Sequence, residues 1–75
     1  MGIVEDLADD LARDTLDAAE RLEDEKLVEA IAEILGASST TAQEAFLTAT
    51  RVRRAEARAR VHLAKQLAKL KDGTT

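Results

Sequence analysis

Residues 22–41 read LEDEKLVEAIAEILGASSTT, and two features of this stretch decide how the chain folds. The first is a jump in apolar phase. Before it, Val4, Leu7, Ala8, Leu11, Thr15, Ala18, Ala19 and Leu22 recur at helical spacing on one face. After it, Leu27, Val28, Ile31, Ile34 and Leu35 form a second stripe, which points about 180° away from the first. No glycine or proline lies at the jump, but the polar run Glu23-Asp-Glu-Lys26 does, and Asp24 is able to cap a new helix. A break or kink at 23–26 is the expectation. A continuous helix burying opposite faces against different neighbours is the alternative.

The second feature is the end of the stretch. Gly36 stands where a helix wants a left-handed terminating residue, and ASSTT after it is turn material. Thr41 with Glu44 forms a capping box, and Thr40 with Gln43 would serve nearly as well. From there helix-forming residues run to Leu70 or Lys71, with Lys69 and Lys71 in the last turn and Asp72-Gly73 as the stop. Such a helix is roughly 45 Å long, close to the combined length of the segments before the turn. The sequence therefore predicts an all-α fold: an antiparallel helical hairpin with an interrupted first arm, helices near 3–22, 25–35 and 41–71. The chain is read as one domain, 1–75, with residues 1–2 and 72–75 as disordered ends.

Composition narrows the chemistry. The 75 residues include no cysteine and no proline, and Phe46 is the sole aromatic. Disulfides, thiolate nucleophiles and cysteine metal sites are excluded. Neither a Ser–His pairing on suitable elements nor a Gly-rich phosphate loop is present, so the expectation is a non-enzyme without cofactor or metal. A core built from so few large side chains is marginal alone, which points to a homo-oligomer, as a dimeric helical bundle, or to a helical protein partner. No apolar run nears the about 18–20 residues that cross a bilayer. MGIVED lacks a secretion signature, and Asp6 stands where a myristoylation signal wants Ser or Thr, so a cytoplasmic location is expected. Seven arginines against four lysines, with much alanine, suggest a bacterial or phage genome.

The net charge of −4 hides a split. Residues 1–37 carry twelve acids against three bases, a net of −9, and residues 38–75 carry eight bases against three acids, a net of +5. The basic half centres on RVRRAEARAR at 51–60, which divides into two groups on a helical wheel. Arg53, Glu56 and Arg60 share the apolar face of Ala42, Ala45, Phe46, Ala49, Val52, Leu63, Leu67 and Leu70. Folding about Ser38 and Ser39 brings residue i near 77 − i, which sets Arg53 and Arg54 against Asp24 and Glu23, and Arg60 against Asp17. The expectation is a polar layer of Arg53, Glu56, Arg60, Asp17 and Asp24 that fixes register rather than adding stability. A wet interface edge contributing almost nothing is the plainer account.

Arg51, Arg54, Arg58, Lys65 and Lys69 lie on the other side, a stripe roughly 27 Å long that could meet phosphates or an acidic partner. An acidic chain with no aromatic in that stripe argues against nucleic acid. Leu47, Thr50, Ala57, Val61, Ala64 and Ala68 form a shallow second seam that lets another helix approach closely. His62-Leu-Ala-Lys65 resembles, over four residues, the His-x-x-Lys core of histidine phosphotransfer domains, which present a phospho-accepting histidine on a helical bundle. Gln66 stands where that family has glycine, and an exposed surface histidine is the better reading. Asp6, Asp10, Asp14 and Asp17 form an acidic ladder, softened by Arg13 and Arg21, that reads as a solvated face. The functional expectation is protein–protein interaction, as an adaptor, assembly factor or regulatory subunit. The alternatives are a nucleic-acid-associated regulator using the basic stripe, or an acidic DNA-mimic inhibitor.

Overall fold

In the computed structural model, which describes residues 2–71, three helices follow one another: α1 (Ile3–Leu22), α2 (Leu27–Ser38) and α3 (Thr40–Lys71). The protein is all-helical, and the helices pack as a hairpin-like bundle. α1 starts at Gly2, whose N–H donates to Glu5 Oε1 at 3.1 Å while its carbonyl accepts from Asp6 N–H. Gly2 is thus the N-cap of α1, although the sequence places it in a loose end. The other expected loose residues, Met1 and 72–75, lie outside the described residues.

α1 ends without a glycine. Glu23 adopts the left-handed conformation, φ 54°, and its N–H bonds back to Glu20 O while Asp24 N–H reaches Ala19 O at 3.0 Å. This is the paired hydrogen-bond pattern of a Schellman end, with glutamate in glycine's usual place. Asp24 then accepts Lys26 N–H at 3.0 Å, which shapes the turn rather than capping the helix directly, and α2 opens at Leu27.

The break at 23–26 is a chain reversal. Val4, Leu7, Ala8 and Leu11 of α1 line one groove with Leu35 and Ala42, so the start of α1 lies beside the end of α2 and the start of α3. Further along, Glu5 and Asp9 face Ala45, Thr48, Ala49 and Val52, and Leu16 comes near Arg54. α1 and α3 therefore run in the same direction, with α2 returning between their ends.

α2 and α3 form the antiparallel hairpin expected about Ser39. The helix does not stop at Gly36; it continues to Ser38, and only Ser39 is extended, with φ −158° and ψ 109°. Ser39 Oγ accepts Ala42 N–H at 3.1 Å and so supplies the cap expected from Thr40 or Thr41. Gly36 has another use. A methyl group there would stand 2.5 Å from Gln43 Nε2, which donates to Ala32 O at 3.1 Å and pins α3 to α2.

The core is small and rich in alanine: Ala8, Ala12, Val28, Ala32 and Phe46, with Thr15 and Thr50 also buried. Leu11, Leu16, Ile31, Leu35, Ala45, Leu47 and Ala49 pack around it. Phe46 is fully buried and is the largest side chain at the centre. Alanines on facing helices let the backbones come close, so one phenylalanine fills the space that remains. Thr50, at 1 % exposure, sends its hydroxyl to Leu47 O at 2.8 Å, which satisfies it inside the helix. Both Thr50 and Leu47 belong to the second seam read from the sequence. α3 touches two helices in its first half, so it buries a wider face than one stripe.

Candidate interaction surface

Twenty residues of α1 rise about 30 Å and thirty-two of α3 about 48 Å. Because α1 ends beside Arg54, the end of α3 projects past the body. Every residue from 54 to 71 is exposed. The apolar stripe does not end with the body: Leu63, Leu67 and Leu70 lie more than half in water, as does Val61 of the second seam. Helix propensity sustains this segment, since alanine, arginine, lysine, leucine and glutamine fill most of it.

Arg53 ties α3 to α1 where the projection begins. Its Nε donates to Asp9 Oδ1 at 2.7 Å and its second terminal nitrogen donates to Asp9 Oδ2 at 2.9 Å, a two-pronged ion pair between α3 and α1. That hydrogen-bonded guanidinium holds the Asp9 carboxyl below its ordinary 3.8; partial burial opposes the shift, and the charges of Arg53 and Arg13 reinforce it.

This pairing corrects the register expected for the polar layer. Arg53 meets Asp9, not Asp24. Arg60 pairs with Glu56 one turn away on its own helix, not with Asp17. Asp17 pairs with Arg21 at 3.1 Å along α1, and Asp24 is spent on the turn. Of Arg53, Glu56, Arg60, Asp17 and Asp24, the structure brings together only the Glu56–Arg60 pair. The physical cause is the reversal at 23–26, which turns α1 back before it can reach the second half of α3. Sequence reasoning missed Asp9 and Gln43. The available signal was the need of Arg53, on an apolar face, for a carboxylate at matching height on α1.

Arg51, Arg54, Arg58, Lys65 and Lys69 are all exposed along α3. Arg54 borders an open recess with Glu20, Glu23, Asp24 and Glu25 at the end of α1. His62 is exposed on the projection. On α1, Arg13 lies 3.5 Å from Asp10 and 3.4 Å from Asp14, so the acidic ladder is interleaved with arginine as the spacing implies. Among the described residues, no group of three or more His, Cys, Asp or Glu is placed to hold a metal ion. No helix among them is long and apolar enough to cross a membrane.

The geometry thus offers a projecting helix with an apolar stripe on one side and basic residues on the other, carried by a body whose first helix is acidic. Compared with known proteins, the chain matches no family model, no curated protein and no solved structure.

Proposed function

We propose that this protein works by protein–protein interaction, as a non-enzymatic adaptor, assembly factor or regulatory subunit that presents the end of α3 to a helical surface. One observation carries the reading: four large aliphatic side chains, Val61, Leu63, Leu67 and Leu70, sit more than half in water on a helix segment that α1 and α2 leave exposed. Leu63, Leu67 and Leu70 are spaced four and three residues apart, the rhythm with which a helix meets another helix. The contiguous apolar edge of Leu63, Leu67 and Leu70 is the kind of surface that marks contact sites. The cytoplasmic, bacterial or phage setting expected from composition belongs to the same proposal.

A photo-crosslinking amino acid placed at position 67, with a control at position 13 on the polar side of α1, tests it in living cells. Protein adducts concentrated at position 67 support the reading, and equal yields at both positions overturn it. A nucleic-acid role draws on one specific feature, the alignment of exposed Arg51, Arg54, Arg58 and Lys65. If that role holds, a gel shift weakens steeply between low and moderate salt. The acidic DNA-mimic reading is the weaker still, because Arg13 and Arg21 interrupt the carboxylates of α1.

A further inference from the structure

We infer that the surface meets a second copy of this chain: the projecting end of α3 in each protomer lies antiparallel along the body of the other, its leucines seated in the partner's α1–α2 groove. The inference rests on the interaction reading above and names the occupant. Charge supplies the first argument. Residues 54–71 hold six bases against one acid, a net of +5, and α1 holds seven acids against two bases, a net of −5. A projection laid against another projection would set +5 beside +5, whereas a projection laid against α1 sets opposite charges together.

Shape supplies the second. Val4, Leu7, Ala8, Leu11, Leu35 and Ala42 form an apolar groove at the end of the body where Ser39 turns the chain. Leu7 is 62 % exposed there, an aliphatic side chain as uncovered as those on the projection. Asp10 and Asp14, three and seven residues after Leu7, are exposed on its side of α1.

Length and direction supply the third. Eighteen residues of projection span about 27 Å, which matches the about 30 Å of α1. Since α1 and α3 share a direction, only an antiparallel arrangement brings the tip, with Leu67 and Leu70, to the groove at the start of the partner's α1. It also makes the two contacts equivalent about a two-fold axis near the middle of α3, so the assembly closes at two copies. Each projection then supplies the fourth helix that the other body lacks.

Charge-swapped variants of the full chain test the pairing. One carries Arg60→Glu and Lys71→Glu, three residues before Leu63 and four after Leu67 and so on the leucines' side of α3, the other Asp10→Lys and Asp14→Lys, and their masses are measured by light scattering beside wild type. Wild type should have twice the 8.1 kDa chain mass, and each variant alone should fall to the monomer. Mixing the two should restore the dimer, because both contacts then join opposite charges, with an apparent Kd at least tenfold tighter than either variant alone. Leu67→Asp should give a monomer that keeps its helical circular dichroism.

A wild type that stays monomeric up to about 100 μM overturns the inference. So do charge variants that dimerise like wild type, or folded variants that fail to pair on mixing. Adducts to a different protein at position 67 from a monomeric wild type would overturn self-pairing while leaving the interaction reading in place.

Discussion

The first fourteen residues of α3 and its last eighteen are one unbroken helix in two environments. In Thr40–Arg53, Phe46 and Thr50 are sealed and Ala42, Gln43, Ala45, Leu47 and Ala49 are partly covered. From Arg54 to Lys71 every residue is exposed. Composition does not separate them, since Leu63, Leu67 and Leu70 are as apolar as Leu47. The difference is reach: α1 turns back at Glu23, and α3 continues. Burial here is decided by where a neighbouring helix ends, and the surplus stripe is what makes the surface available.

Truncating the packed half should therefore be ruinous and truncating the projection mild. Phe46→Ala is expected to cost about 3–5 kcal/mol, from lost transfer energy and the cavity left behind. A domain of this size holds about 4–11 kcal/mol in all, so most of its stability would go. Leu63→Ala, made in water, should cost under about 0.5 kcal/mol in dilute solution, where copies do not meet. Urea unfolding followed by circular dichroism compares them, and similar losses would erase the distinction between the two halves. A Leu63→Ala deficit that grows with protein concentration would sharpen it, because the missing contact is then between molecules.

How much of this division could be read from the sequence depends on the residue. The apolar jump after Leu22 marked an interruption, and the helix boundaries fell within a few residues of 3–22, 27–38 and 40–71. The angle of the interruption was not legible. A kink and a full reversal give the same periodicity on either side, and the choice moves α1 from the second half of α3 to the first. Glu23 and Gly36 show why. Glycine is the usual left-handed terminator, yet Gly36 is helical and Glu23 holds the left-handed position. The two hydrogen bonds at the end of α1 outweigh a steric cost of about 1–2 kcal/mol at Glu23. At Gly36, room for Gln43 matters more than backbone freedom. Once the reversal is known, Asp9 opposite Arg53 follows.

The joint between α2 and α3 fixes the packed half, and it can be probed at about 1 kcal/mol. Gly36→Ala gains roughly 1 kcal/mol of helix propensity but pushes Gln43 off the Ala32 carbonyl, a loss of similar size. The two should nearly cancel in wild type. With Gln43→Ala already in place, the same substitution should stabilise by about 1 kcal/mol. An identical effect in both backgrounds would mean that Gln43 does not tie the helices. Glu23→Gly acts at the other joint and should raise stability by about 0.5–1 kcal/mol, relieving the left-handed backbone less the entropy glycine adds to the unfolded chain. A loss of stability there would show that the end of α1 depends on the glutamate side chain.

The smallest effect sits on the boundary itself. Arg53 and Asp9 are 34 % and 50 % exposed, so water and salt screen much of their attraction. Folding lowers the Asp9 pKa, which sets the sign of the pH dependence: the pair's contribution is complete above the unfolded value near 3.8 and fades as pH falls through the lower folded value. Asp9→Asn removes that titration. Its melting temperature should lie slightly below wild type at neutral pH and converge on it under acid, because the wild-type carboxylate is then protonated as well. Melting curves from pH 7 down to about pH 2 read this directly. If the two profiles stay parallel throughout, Asp9 does not fasten the projecting helix to the body, and the boundary is set by apolar contact alone.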